Sequence, residues 1–289
     1  MRDKGALYIA MSDDFFEEAK ISANSLKQHN PEIKTCVITD KEREAGPFDK
    51  VKVEEPNKGS DKIYYLNKSP FDQTLFLDTD IYICNELEEV FKVLNQFDIA
   101  LAHNSKGVSK NRAMNEKNDF QNIPSTFPEF NTGVIIFQKD KIKDISDELK
   151  RLYEERMSQY GRVPKDQPVF RKVLYESRLR IATLPTEYNC RLYNCGVLGR
   201  DPKIIHSRIL DVGGIGLSKK LDVVKAADKL KSYEGLRVFY YYKGRIKVKK
   251  RKEKISKIAK NSFEEYGLRG KIIRFLKKLN SRDFKLTEI

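Results

Sequence analysis

The stretch LFLDTDIYI, residues 75–83, is the most informative part of the chain. An apolar run leads directly into Asp78, Thr79 and Asp80, and a second apolar run follows at once. Such apolar flanks predict a buried strand, and ligands of open α/β sheets bind beyond the carboxyl ends of the parallel strands. Two carboxylates one residue apart at that position can reach one divalent cation, Mn²⁺ or Mg²⁺. The pair alone is a weak signal, because aspartates that cap a turn give the same pattern.

The order of elements around this stretch predicts the kind of sheet. ALYIAM (6–11) has the pattern of a buried strand, an amphipathic helix follows, and KTCVIT (34–39) is the next strand. This β-α-β order predicts a mostly parallel central sheet with right-handed crossovers, in an α/β, Rossmann-like domain. Further strands are expected at 74–77, 133–138, within 177–184 and at 203–207, and helices at 86–96, 140–158, 166–176 and 219–232.

Length and composition limit the class of protein. A chain of 289 residues can bury a sizeable core. No run of about 18 apolar residues is present, and the N-terminus has no signal-peptide pattern, so we expect a cytoplasmic protein. Four cysteines without a zinc-ligand spacing are typical of free thiols in a reducing compartment.

The positive charge is concentrated at the C-terminus. Residues 243–289 contain 17 Lys or Arg against 5 Asp or Glu, a net charge of +12, so residues 1–242 carry only +2 of the total of +14. The segment 268–279 has an apolar arc and a basic arc on a helical wheel. We therefore predict a globular domain over 1–242 and a basic, amphipathic helical tail over 243–289.

Such a tail has three possible roles. It can attach the protein to an anionic membrane surface, on the inner face of a membrane. It can instead pack its apolar arc on the protein's own body. Nucleic-acid binding is not expected, because the tail lacks an aromatic-rich stacking surface.

Five ordered segments together resemble a known family. They are residues 9–40 (a strand, a loop with SDDFF and a helix), LFLDTDIYI, FNTGVIIF (130–137), KDQPVF (165–170) and IIHS (204–207). Their order and spacing resemble nucleotide-sugar glycosyltransferases of the GT-A fold, most closely glycosyltransferase family 8, which includes glycogenin and bacterial lipopolysaccharide galactosyl- and glucosyltransferases. The similarity covers about residues 6–208.

The resemblance implies a donor site for a nucleotide sugar, here a UDP-sugar. Asp78 and Asp80 would hold Mn²⁺ or Mg²⁺ together with His206, and Asp166 and Gln167 would lie beside the anomeric carbon as the catalytic pair. The remaining donor-binding positions implied by the resemblance are Ala10, Met11, Asp13, Phe16, Lys62, Asp78, Thr79, Asn131, Gly133 and Arg208.

Within this donor site Asp13 would accept from the base and Phe16 would stack on it. The alternatives are a helix N-cap for Asp13 or Asp14 and a core contact under the helix for Phe16.

The other candidate residues also have structural alternatives. Asn131 and Gly133 are common turn residues, and Asp166 and Gln167 can serve as the N-cap and a first-turn residue of the helix at 166–176. A lone histidine after an apolar strand, as His206 is, is ordinarily a core residue with its hydrogen bonds satisfied.

The chain departs from the family pattern after His206. Family 8 has a glycine at +3 and a lysine at +6, where this chain has Ile209 and Val212. Arg208 can take the cationic role toward the diphosphate, or Lys219 and Lys220 can fold back to do so.

Three functions are therefore open. The first is a metal-dependent glycosyltransferase that acts on a glycan or lipid-linked glycan acceptor with retention. The second is a phosphatase or phosphotransferase of the haloacid-dehalogenase type, which also uses an Asp-x-Asp pair but on its first strand. The third is a non-catalytic cationic adaptor.

Overall fold

The computed structural model describes residues 2–104, 122–161, 163–207, 223–242 and 245–250. Its strands are β1 (Lys4–Ala10), β2 (Lys34–Thr39), β3 (Lys50–Val53), β4 (Gln73–Leu77), β5 (Ile81–Ile83), β6 (Ile99–His103), β7 (Phe130–Gln138), β8 (Ile181–Leu184), β9 (Cys190–Arg191), β10 (Gly196–Leu198), β11 (Ile204–His206), β12 (Arg237–Tyr242) and β13 (Arg245–Lys250). Its α-helices are α1 (Asp13–His29), α2 (Asp61–Tyr65), α3 (Lys139–Tyr160), α4 (Asp166–Glu176) and α5 (Val223–Lys231).

The central sheet has seven strands in the order β3-β2-β1-β4-β7-β6-β8. The pairs β3–β2, β2–β1, β1–β4 and β6–β8 are parallel, whereas β7 runs antiparallel to both β4 and β6. The prediction of an α/β fold with a mostly parallel sheet is confirmed. Because β7 is reversed, its first residues lie beside the carboxyl end of β4, which brings the FNTG and DTD segments together.

Both faces of the central sheet are covered. Neighbouring residues of β1 point into two separate cores. Tyr8 belongs to the core on the face covered by α1, and Leu7 belongs to the core that includes residues of α3 and α4. Strands buried on both faces have near-continuous apolar sequences, and all five residues of β4 are buried. This burial explains why LFL precedes the two aspartates.

A buried tyrosine connects α3 to the loops next to the sheet's carboxyl edge. The Tyr153 hydroxyl accepts from the Ser60 backbone N–H at 2.8 Å and donates to the Pro164 carbonyl at 3.0 Å. Gly59 leaves room for this ring, because a Cβ at that position would lie 2.5 Å from Tyr153 Cε1. The segments leading into α2 and α4 are thereby held at one end of the sheet.

Two three-stranded sheets complete the described part. The order β5-β11-β9 forms one of them, and β10-β12-β13 forms the other. A third core, which includes Leu198, Phe239 and Leu230 of α5, lies between them. None of the described helices is long and apolar enough to cross a membrane.

The structure corrects two details of the sequence prediction. The helical pattern at 86–96 forms a 3₁₀ helix over Glu88–Asn95 rather than an α-helix. The predicted boundary before residue 243 divides a hairpin, because residues 245–250 pair with β12 as strand β13 instead of beginning a helical tail. The amphipathic segment 268–279 lies outside the described residues.

Candidate metal and donor site

The DTD segment is the turn between two sheets. β4 ends at Leu77 in the central sheet and β5 begins at Ile81 in the small one. Between them the Thr79 hydroxyl donates to the buried carboxylate of Glu18 in α1 at 2.6 Å. This contact turns Thr79 toward the helix, away from the side on which Asp78 and Asp80 approach His206.

Strand pairing brings His206 to this turn. β11 is antiparallel to β5 with His206 opposite Ile81, and the Ser207 backbone N–H donates to the Asp80 carbonyl at 2.9 Å. His206 Nε2 consequently lies 3.2 Å from Asp80 Oδ1.

The resulting side-chain cluster fits a divalent cation. One potential ligand atom from each of Asp78, Asp80 and His206 lies within 4.8 Å of the others. Octahedral coordination at about 2.1 Å places adjacent ligands about 3 Å apart, which agrees with the distance between Nε2 and Oδ1. Two carboxylates and an imidazole are ligands that Mn²⁺ accepts.

Gly133 provides the space in which the cluster assembles. The Asp78 backbone N–H donates to the Gly133 carbonyl at 2.9 Å, so β4 and β7 remain in register to the edge of the site. A Cβ on Gly133 would lie 2.3 Å from His206 Cε1 and 3.0 Å from Asp78 Oδ2. The glycine is therefore required by the approach of these two side chains, not by a turn.

Lys62 joins the metal cluster to the predicted catalytic carboxylate. Its Nζ lies 2.6 Å from Asp78 Oδ1, 3.3 Å from Asp166 Oδ2 and 3.1 Å from the Thr132 carbonyl oxygen. Thr132 in turn donates its hydroxyl to Asp166 Oδ2 at 2.7 Å. The lysine is thus a partly buried bridge between two carboxylates.

The charges of this group shift its pKa values in different directions. Burial would lower the pKa of Lys62, but Asp78 and Asp166 outweigh it and raise that pKa. Burial would raise the pKa of Asp166, but Lys62 and the Thr132 hydroxyl hold it below its usual range. For Asp78, burial and the charge of Asp80 outweigh Lys62, so its pKa is raised. Asp166 is therefore ionised near neutral pH, whereas Asp78 is protonated more readily than an ordinary aspartate because of its burial and the nearby charge of Asp80.

The predicted catalytic pair lies at the start of α4. Asp166 is the first residue of this helix, and its Oδ1 accepts from the Gln167 backbone N–H at 3.0 Å. The Gln167 side-chain oxygen accepts from Asn104 at 3.3 Å, and Asn104 also donates to Glu129 at 2.6 Å. Lys165 is the N-cap of α4, so the N-cap alternative is wrong for Asp166, which is a first-turn residue that also lies close to the metal cluster.

A cleft of about 300 Å³ opens beside the DTD turn. Its walls include Ile9, Met11, Phe15, Gly59, Ser60, Asp61, Lys62, Phe76, Asp78, Thr79 and Asp80. Met11 and Lys62 thus lie where the donor site is expected, while Ala10 is fully buried in β1.

Two residues assigned to the nucleotide base are not part of this cleft. Phe16 is a core residue, 4% exposed, and its ring packs on Phe48 at 5.7 Å between centroids. The structure thus favours the alternative of a core contact, and the neighbouring Phe15 supplies the aromatic wall. Helix periodicity gives the reason, because consecutive residues of α1 point about 100° apart.

Asp13 likewise differs from its assigned role. Its carboxylate is exposed and forms ion pairs with Lys41 and Arg43, which lower its pKa. The helix N-cap is Ser12, whose hydroxyl accepts from the Phe15 backbone N–H at 3.3 Å. The N-cap alternative for Asp13 is therefore wrong, while its contact with the base stays a prediction.

Two residues that sequence reasoning did not select complete the site, Thr132 and Asn189. Thr132 is part of the FNTG segment, so the motif contained it. Asn189 follows the short 3₁₀ helix Thr186–Tyr188 and has no distinguishing sequence signal. Arg208, Lys219 and Lys220 lie outside the described residues.

Comparison with solved structures identifies the fold. The glycosyltransferase GlyE of Streptococcus pneumoniae TIGR4 is 16% identical, with a TM-score of 0.53 over 79% of this chain and 60% of the GlyE chain. An active-site mutant of LgtC is 13% identical, with a TM-score of 0.51 over 78% of this chain and 94% of that chain. No family model matches the sequence, and a search of curated proteins found no match.

These similarities identify the fold, and the function has to be inferred from the candidate site. The chain has a mixed α/β fold with a large, mostly parallel sheet, like that of these GT-A glycosyltransferases. It spans about three fifths of the GlyE chain. Membership of family 8 stays a prediction.

Substitution of Gly133 tests the geometry of the cluster. Because an added Cβ would overlap His206 Cε1, we expect Gly133→Ala to displace the imidazole and to weaken Mn²⁺ binding by at least about 10-fold. Calorimetric titration with Mn²⁺ measures the effect. Gly199→Ala is the matched control, since the nearest atom to its new Cβ lies 3.8 Å away. Equal Mn²⁺ affinity in both variants would contradict the assigned geometry.

Proposed function

We propose that the protein is a metal-dependent glycosyltransferase that moves a hexosyl unit from a UDP-sugar to a glycan or lipid-linked glycan acceptor, with retention. The observation that carries the proposal is the cluster of Asp78, Asp80 and His206 at the carboxyl end of β4, joined through Lys62 to Asp166. The similarity to GlyE and LgtC supports the same class of activity. The donor nucleotide and the retention of configuration rest on the sequence resemblance.

The side chains of the site match the requirements of a sugar nucleotide. A divalent cation, when bound by Asp78, Asp80 and His206, neutralises a diphosphate and makes it a better leaving group. The cleft with Met11 and Phe15 offers apolar surface for the base and ribose beside that cluster.

The predicted catalytic carboxylate has the charge that the reaction needs. Asp166 stays ionised next to Lys62 and is held by the Thr132 hydroxyl. A fixed carboxylate at this place stabilises the positive charge that develops on an anomeric carbon. Gln167 is held by Asn104 and presents its amide on the same helix end.

The phosphatase alternative lacks its nucleophile. Enzymes of the haloacid-dehalogenase type carry the Asp-x-Asp pair on the first strand, but β1 is followed by Met11 and Ser12. The DTD segment follows β4 instead.

Removal of the cation or of one ligand tests the proposed activity. We expect EDTA to abolish UDP-sugar hydrolysis and transfer and Mn²⁺ to restore them, because the leaving diphosphate needs a counter-charge. Asp80→Ala should lose at least about 100-fold in kcat/KM and should not be rescued by Mn²⁺. Asp144→Ala, an exposed carboxylate of α3, is the control and should keep wild-type activity. Full activity of Asp80→Ala in EDTA would exclude the proposed mechanism.

We also propose that the basic C-terminal segment attaches the enzyme to the inner face of an anionic membrane, in the cytoplasm. Residues 243–289 carry a net charge of +12. Each Lys or Arg near an anionic surface adds about 1 kcal/mol, and the apolar arc of 268–279 adds burial. A lipid-linked acceptor would then be near the active site.

Vesicle flotation tests this attachment. The full chain should float with phosphatidylserine-containing vesicles, less so at high salt, and should not float with neutral phosphatidylcholine vesicles. A variant that ends at Lys250 is the comparison, because it keeps the β12–β13 hairpin intact. We expect this variant to lose flotation. Equal flotation of both forms would reject the tail as the anchor.

A further inference from the structure

We propose that Asn131 and Asn189 form a side-chain relay that fixes His206 in the one neutral tautomer able to bind a divalent cation. The proposal deepens the metal site on which the proposed function rests. It also gives Asn131 a role other than the donor-sugar contact implied by the resemblance. Asn131 is 2% exposed, and its side-chain oxygen accepts hydrogen bonds from Gly133 and Asn189.

The relay begins at a backbone group whose role is fixed. The Gly133 backbone N–H donates to Asn131 Oδ1 at 3.2 Å. A backbone N–H can only donate, so the oxygen of the Asn131 amide must face it. The same oxygen lies 2.6 Å from the Asn189 side chain, which must therefore present its NH₂ group there. The orientation of the first amide thus determines the orientation of the second.

The relay ends at the imidazole. With the NH₂ group of Asn189 directed at Asn131, its Oδ1 faces His206 Nδ1 at 2.9 Å. An amide oxygen only accepts, so Nδ1 must carry a proton. A neutral imidazole has a single N–H, which leaves the lone pair of His206 on Nε2.

This tautomer is the one that a metal site requires. His206 Nε2 lies 3.2 Å from Asp80 Oδ1. When the neutral imidazole carries its proton on Nδ1, Nε2 and Oδ1 are both acceptors. A cation between them satisfies both, whereas the opposite tautomer would place an N–H on Nε2 and form a simple His–Asp hydrogen bond. For the neutral imidazole, the relay therefore disfavours direct pairing of His206 with Asp80 and favours coordination. Metal-bound histidines usually donate their other ring N–H to an oxygen acceptor of the protein or of water, the part that Asn189 Oδ1 plays for His206 Nδ1.

Burial makes the relay effective. Asn131, Asn189 and His206 are 2%, 5% and 7% exposed. Water therefore cannot easily replace a lost partner. A reversed Asn189 amide would place its oxygen against Asn131 Oδ1, so that two acceptors would face each other. The relay consequently acts as a positioning device and needs no contact with the donor.

The tautomer can be measured directly in the metal-free full chain. The protein has three histidines, so ¹⁵N-histidine labelling gives three imidazole patterns, assigned with His29→Gln and His103→Gln. At about pH 9, where histidine is ordinarily neutral, we expect the His206 pattern of an Nδ1–H tautomer. An Nε2–H pattern in the wild-type protein would overturn the proposal without any relay variant.

Variants separate the relay from general packing. Asn189→Ala removes the acceptor of the Nδ1 proton, and Asn131→Ala allows the Asn189 amide to rotate. Both variants should therefore shift His206 toward the Nε2–H tautomer. Both should also weaken Mn²⁺ binding by about 10- to 100-fold. Asn189→Asp keeps an acceptor for the Nδ1–H group but places a second acceptor against Asn131 Oδ1, so its readout is the retained Nδ1–H tautomer and not the Mn²⁺ affinity. Asn194→Ala, which removes a similarly buried amide, is the control and should change neither readout.

An unchanged tautomer and Mn²⁺ affinity within 2-fold of the wild type in Asn189→Ala would overturn the relay. Failure of the proposed function has a different signature. An Nδ1–H tautomer with Mn²⁺ binding but without sugar transfer supports the relay and rejects the transferase.

Discussion

Three carboxylates converge near the carboxyl end of β4, and their mutual repulsion is the constraint around which the site is built. Asp78 and Asp166 share Lys62, while Asp80 faces His206. The charge of Asp80 adds to the burial that raises the pKa of Asp78. A divalent cation bound by these two carboxylates and His206 would lessen their repulsion, which links the packing of the sheet to the chemistry proposed for the site.

Much of this arrangement could be predicted from the sequence. The apolar runs on both sides of DTD indicated a buried strand, and the order of elements indicated a mostly parallel sheet. The segments FNTG and IIHS placed Gly133 and His206 near the aspartates, where the structure also has them. Short motifs at strand ends are predictable because strand ends converge on one edge of the sheet.

Other features depended on contacts that no local pattern encodes. Phe15 and Phe16 are adjacent and chemically identical, and only the rotation of α1 against β1 decides which ring lines the cleft. Asn189 has no signal of its own, because its role comes from hydrogen bonds to residues 58 and 17 positions away. The hairpin β12–β13 was also missed, although RIKVKK alternates basic residues with Ile246 and Val248. This alternation is a strand pattern, which the high lysine content of the segment obscured.

The central claim is that a divalent cation and a nucleotide diphosphate share this site. Calorimetric titration of the full chain with UDP, in the presence of Mn²⁺ and again in EDTA, tests that claim most directly. The account predicts UDP binding that requires Mn²⁺, as expected if the diphosphate and the carboxylates share one cation. A non-catalytic cationic adaptor would show no metal-dependent binding. UDP binding of equal affinity in EDTA, or none in either condition, would contradict the account.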